Sequence, residues 1–309
     1  FRNEYVEQEK NNLKNLIESR INDKMQYAVD RCYEEMCKGE PFEIYDYGNV
    51  EEVEKIDSKA LFEHYVNFIK TYPVQVFICG NVADDMINKA VKRLENLRDE
   101  NKSIQEGKGE INVLKGVSPD SFNKLMVKSK DVTEKLNVNQ GKLSLGFRTN
   151  TSPDSNDYYA LVVYNGILGG GIHSKLFQNV REKASLAYYV FSRLEKFKGL
   201  MVVSSGIEIE NRDKALGIIL EQLEQIKAGN ISDYEYETTL NVIETGIKSL
   251  KDNQISIVDF YLSQTVAGTN DDFSSFIEKI RKVKREDVIR IAEKIKLDTI
   301  YFLTDERGH

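Results

Sequence analysis

This sequence is poor in the residues that announce a metal, a disulfide framework or a membrane span. Its 309 residues hold three cysteines, Cys32, Cys37 and Cys79, and three histidines, His64, His173 and His309. An odd cysteine count at no metal-like spacing points to reduced thiols in a cytoplasmic protein, not to a disulfide scaffold. No two histidines lie four residues apart, so no helix can present a pair of imidazoles on one face at that spacing. A run of about 18 apolar residues is also lacking, which excludes a membrane-spanning helix. The net charge is −7 with both signs interspersed, so the concentrated basic face that nucleic acid requires is missing.

What is present describes a globular protein. Hydrophobic residues make up 40% and charged residues 30%, over a length sufficient for two domains of ordinary size. The chain opens with Phe1 directly on a helical pattern, and residues ahead of Phe1 are expected to be missing. Apolar residues from Val6 to Cys32 form a helical stripe that Gly39-Glu40-Pro41 ends. Asp57 or Ser58 is placed to cap a helix reaching about Lys70, and Val74 to Cys79 reads as a β-run. Residues 109–126 read as a linker, between a first domain at 1–108 and a second at 127–309. In the second domain strands are expected at Leu143–Phe147, 187–194, 199–207 and Thr299–Leu303, with helices between and after them.

An internal repeat underlies this order. "VEKIDSKALFEHY" from Val53 parallels "IRKVKREDVIRIA" from Ile280, and each leads through a helix to a closing β-run. The helix after Tyr5 likewise resembles the helix after Tyr234. Two copies of one α+β domain are implied, the first lacking its initial strands.

The most unusual passage is "LGGGIHSKLFQNVREKASLAY", Leu168 to Tyr188. Its contiguous glycines do not fit a phosphate loop, which needs G-x-x-x-x-G-K-[ST] or G-x-G-x-x-G after a strand. A structural reading has the glycines end one helix with a positive-φ cap and let the next pack closely, while Leu176, Phe177 and Val180 are buried. A third reading makes it half of an active site. The segment resembles the corresponding part of second-type domains in the pitrilysin/insulinase family of zinc peptidases (M16), and the resemblance extends over nearly the whole chain. It implies repeated α+β domains, each a mostly antiparallel sheet covered by helices, in bowl-shaped halves around a chamber. In that family an Arg and a Tyr seven residues apart serve the active site from the domain facing the zinc, and Arg181 and Tyr188 match that spacing. A guanidinium and a phenol can both donate to a peptide oxygen that gains charge. His173 and Gln140 are further candidates for substrate contact.

The zinc signature of the family, H-x-x-E-H on a helix, is absent from this sequence. "ALFEH", Ala60 to His64, has Ala where the first His belongs and reads as a surface Glu-His pair. The resemblance puts the third ligand seven residues after Glu9, at Leu16, whose carbon side chain cannot coordinate zinc. The expectation is therefore a non-catalytic chain that binds no metal itself. It would supply Arg181 and Tyr188 in trans to a zinc-bearing partner chain, or self-associate, with peptides as substrates. Two alternatives stay open: a binding or assembly protein on the same fold, and an autonomous zinc peptidase with its metal site ahead of Phe1.

Overall fold

In the computed structural model the described residues are 1–72, 74–99 and 129–306, so the linker read at 109–126 and His309 lie outside them. The helices in chain order are α1 (Asn3–Ser19), α2 (Lys24–Met36), α3 (Val50–Glu54), α4 (Ser58–Thr71), α5 (Asp84–Asp99), α6 (Tyr158–Gly169), α7 (Arg212–Lys227), α8 (Asp233–Ser249), α9 (Gln254–Ala267), α10 (Phe273–Lys282) and α11 (Arg285–Lys294). Two compact units emerge from them. One is built on Phe1–Ile17, Tyr47–Lys115 and Ser249–Asn270, the other on Glu18–Asp46, Gly116–Lys248 and Asp271–His309.

The interleaving follows the repeat. Both α1 and α8 have 17 residues, and each is followed by a three-residue 3-10 turn, Arg20–Asn22 or Leu250–Asp252. A capping side chain then starts the next helix. Asp23 accepts from the Gln26 N–H at 3.0 Å before α2, and Asn253 from the Ile255 N–H at 2.8 Å before α9. The α2 copy belongs to the second unit and the α9 copy to the first.

In the first unit Asp57 caps α4 as its sequence demands, accepting from the Lys59 and Ala60 N–H groups at 2.9 and 2.8 Å. Lys10 Nζ donates to the Ile56 carbonyl at 2.8 Å and so ties α1 to the chain after α3. His64 and Glu63 lie on the exposed side of α4, as a surface pair. Val74 to Cys79 forms no strand, contrary to its β-rich composition. A strand exists only through a neighbour that takes up its N–H and C=O groups, and among the described residues it has none. Val74, Val76 and Ile78 are accordingly about half exposed.

The second unit holds one five-stranded sheet, β1 (Lys130–Leu136), β2 (Gly141–Arg148), β3 (Ala187–Glu195), β4 (Leu200–Ile207) and β5 (Lys296–Asp305), in the order β1-β5-β2-β4-β3. Only β1 and β5 run parallel, and the other pairs are antiparallel. The fold is therefore α+β with a mostly antiparallel sheet. Both faces are covered at the centre, which is why β4 reads as a near-continuous apolar run and is buried at every residue. On one face Ala28, Val29, Cys32 and Met36 of α2 lie against Val202, Tyr301 and Leu303. Each large side chain buried there contributes ~1.5–3 kcal/mol. Gly146 makes the approach possible, since a Cβ would lie 2.8 Å from Met36 Sδ. The other face carries Leu143, Leu145 and Phe147, all buried. The cysteines are free, and burial pushes the Cys37 thiol up to about 11, so it stays protonated. Among the described residues no helix is long and apolar enough to cross a membrane.

Candidate active-site segment

The glycine segment begins where α6 ends. This helix is apolar all round, and Ala160, Leu161, Val163, Tyr164, Ile167 and Leu168 are buried, as befits a helix inside a core. The cap is not the positive-φ type expected from the glycine run: Gly170 has φ −83°, and neither Gly169 nor Gly171 is left-handed. The glycines serve close approach instead. A Cβ on Gly169 would lie 2.4 Å from the Ser192 backbone nitrogen of β3, and one on Gly166 would lie 2.5 Å from Thr239 Cγ2 of α8. Ser192 Oγ donates to the Asn165 carbonyl at 3.1 Å, locking helix to strand.

Beyond the glycines comes a π-helix, Phe177–Lys183, closed by bonds such as the Ala184 N–H to the Asn179 carbonyl. Side chains of the segment tie it both to itself and to neighbouring helices. Asn179 Nδ2 donates to the Lys175 carbonyl at 2.9 Å and to Gln222 Oε1 of α7 at 2.8 Å. Lys175, itself buried, donates to Glu235 Oε1 at 2.9 Å. Burial raises the Glu235 carboxyl, but the Ser232 backbone N–H and Lys175 outweigh it and hold the group below its ordinary range. His173 is also buried, with its Nε2 2.9 Å from Thr239 Oγ1, and burial lowers its pKa.

Two more irregularities follow. Ser185 takes φ +53°, a left-handed conformation that few residues other than glycine adopt. At the start of β3 the ladder slips: Ala187 faces Ile207 and Tyr189 faces Gly206, so Tyr188 is the extra residue of a β-bulge. A bulge re-aims a side chain, and Tyr188 is 51% exposed on an edge strand while Ala187 is buried. Its hydroxyl donates to the Glu208 carboxylate, which holds the phenol pKa above its ordinary value. Arg181 leaves the π-helix at the surface, its guanidinium 4.8 Å from the Phe177 ring centroid and 3.8 Å from Glu182 Oε1. π-Helical turns, left-handed non-glycine residues and bulges each gather at functional sites. Here all three occur between Phe177 and Tyr188.

Gln140 sits apart from these residues in sequence, in the turn between β1 and β2, where it accepts from Lys142 Nζ at 3.2 Å. Leu16 is half exposed on α1, and among the described residues no group of three or more His, Cys, Asp or Glu is placed to hold a metal. The described residues thus do not fit a zinc site. Sequence reasoning missed the Lys175–Glu235 pair and the His173–Thr239 contact. A signal for the first was available in Ser232-x-x-Glu235, a capping box whose bonds run from the Ser232 N–H to Glu235 at 2.8 Å and from the Glu235 N–H to Ser232 Oγ at 3.2 Å.

Known proteins resemble this chain in sequence and in fold. The family model described as the peptidase M16 inactive domain matches residues 55–243. The probable inactive metalloprotease YmfF of Bacillus subtilis is 36% identical over 308 residues, covering 100% of this chain and 69% of that protein. The uncharacterized zinc protease YmxG of the same organism is 23% identical, over 80% of this chain and 57% of its own length. The crystal structure of a conserved protein from Enterococcus faecalis V583 superposes with a TM-score of 0.85 at 30% identity, covering 100% of this chain and 70% of that one. A family model matched over more than half of the residues, and a relative matched along the whole chain, establish that this protein belongs to the M16 peptidase family, as a homologue of its inactive metalloproteases.

Proposed function

We propose that this chain is the non-catalytic member of a two-chain M16 peptidase, lending Arg181 and Tyr188 to a zinc-bearing partner that hydrolyses peptides. The observation that carries this reading is the irregular backbone from Phe177 to Tyr188, which turns a buried segment outward and exposes both side chains. Arg181 offers fixed N–H donors that can hold a substrate carbonyl. Tyr188 keeps its proton at neutral pH, and in this reading its one O–H, donated to Glu208 in the free chain, turns toward an oxygen gaining charge. The chain itself supplies no metal ligands in this reading, in keeping with the apolar Leu16, and the partner brings the zinc. We place the protein in the cytoplasm, where its thiols stay reduced.

The test mixes the full-length protein with a zinc-bearing relative and follows peptide hydrolysis. Arg181→Ala and Tyr188→Phe are each expected to lower turnover by roughly 100-fold, the cost of one transition-state donor. Unchanged turnover in both variants overturns the role. A second reading has its own support: Arg181 is already stacked on Phe177 and Tyr188 already donates to Glu208, as in a protein that binds peptides without cleaving them. Peptide binding with no partner-dependent turnover would favour it. Stoichiometric zinc in the full-length protein would instead support an autonomous peptidase.

A further inference from the structure

The sheet face covered by α2 carries a second group of residues that the proposed donors do not use. Leu303, Lys142 and Gly206 lie side by side across β5, β2 and β4, and Tyr189 of β3 faces Gly206. Gly206 leaves room that the Tyr189 ring fills, since a Cβ there would lie 2.4 Å from Tyr189 Cε1. The ring lies across the sheet with its centroid 5.5 Å from Lys142 Nζ, and stacks on Phe191 at 6.0 Å. Lys142 is half-buried, yet among the described residues no carboxylate lies within 4.0 Å of its ammonium. Among the described residues its side-chain hydrogen bond is to the neutral Gln140. Asp23, the acid whose charge it feels, is already committed as the cap of α2. Burial pushes the Lys142 pKa down, as expected of an ammonium held partly out of water without a counter-ion. Lys142 lines a groove of about 820 Å³ together with Asn22, Asp23, Lys24, Asn137, Asn139 and Gln140, so a second lysine offsets the one carboxylate in it.

We propose that this groove is a carboxylate-binding subsite, in which Lys142 pairs with a carboxylate of a bound peptide and the amides of Asn139 and Gln140 donate to it. A half-buried cation gains more from an anion than an exposed one, because less water screens the pair. The Tyr189 ring, its centroid 5.5 Å from the ammonium, supplies an apolar surface beside the charge. This inference rests on the peptide-binding reading above and extends it to a substrate class: peptides that end in a free carboxylate or carry an acidic side chain. Tyr189 adjoins Tyr188 in β3, so the subsite shares a strand with one of the two proposed donors, Arg181 lying ahead of it in the π-helix.

The experiment is calorimetric titration of the 309-residue chain with a twelve-residue peptide lacking Asp and Glu, as the free acid and as the C-terminal amide. A third titrant is the amide with one Glu near its end. The free acid is expected to bind about tenfold more tightly than the plain amide, a difference of about 1.4 kcal/mol. Lys142→Met should erase that preference and Lys142→Arg keep it. If the Glu-bearing amide matches the free acid, side-chain carboxylates serve as well. If it does not, the site reads chain ends. Equal affinity for acid and amide, no binding of either, or a preference that survives Lys142→Met would overturn the proposal. Arg181→Ala and Tyr188→Phe are expected to leave the preference intact, so failure of the subsite and failure of the donor pair are separate results.

Discussion

The two copies of the helix pair, α1–α2 and α8–α9, start from the same kind of cap and meet different surroundings. Counted from their caps, Ala28, Cys32 and Met36 of α2 correspond to Val258, Leu262 and Val266 of α9. The α2 stripe lies on a sheet and is at most 1% exposed. The α9 stripe belongs to a unit whose described residues contain no strand, and Leu262 is 40% exposed. An apolar face at helical spacing thus states only a need for cover. Whether it is met depends on a partner element, and the stability drawn from it scales with the area removed from water.

The sharpest way to break this comparison is a matched pair of truncations. Met36→Ala should destabilise its unit by ~2–5 kcal/mol through lost burial and a cavity. Leu262→Ala, at the corresponding stripe, should cost less than ~1 kcal/mol, and urea unfolding of both variants would check it. Equal losses would mean that α9 is covered after all. A second contrast lies within the sheet-bearing unit. Gly169→Ala puts a methyl against the Ser192 backbone and should cost about 1–3 kcal/mol. Gly217→Ala in α7, where a Cβ meets nothing within 4 Å, should stabilise by about 0.5–1 kcal/mol, read from thermal midpoints.

His173 gives a pH-dependent test of the same unit. Burial lowers its folded-state pKa, so on acidification the unfolded chain takes up this proton first. The stability contributed by the neutral, buried ring is complete above its ordinary pKa near ~6.5 and is lost as pH falls through the lower folded value. His173→Gln should flatten the change in urea midpoint between about pH 7.5 and 5.5. An unaltered slope would show that His173 does not carry it. The smallest effect is expected at the unpaired run of the other unit. Val76→Thr should change stability by no more than about 0.5 kcal/mol, since that side chain is half exposed. A core-sized loss there would erase the distinction between the units.

How much was legible in the sequence varies with how local each cause is. The cap at Asp57 acts over three residues, and the helix it starts lies where the pattern put it. Strand β1, "KDVTEKL", escaped notice because four of its seven residues are charged. It is an edge strand held in place by parallel pairing with β5, far along the chain. Val74 to Cys79 shows the converse, with β-forming residues and no ladder among the described residues. At the candidate site, the spacing of Arg181 and Tyr188 was readable only through the family resemblance. The π-helix and the bulge were not readable, since the first is held against α7 and the second is a slip in the ladder with β4.

By itself the sequence determined the family, the repeat, the α+β class and the lack of an H-x-x-E-H motif, because these rest on residue identity and short-range spacing. Tertiary structure alone decided that the glycines serve close approach instead of a left-handed cap, that His173 is buried against Thr239, and that Tyr188 faces outward. The physical reason is the same in each case. A backbone angle or an exposed face in this segment is set by what packs against it, and those partners lie scores of residues away in the chain.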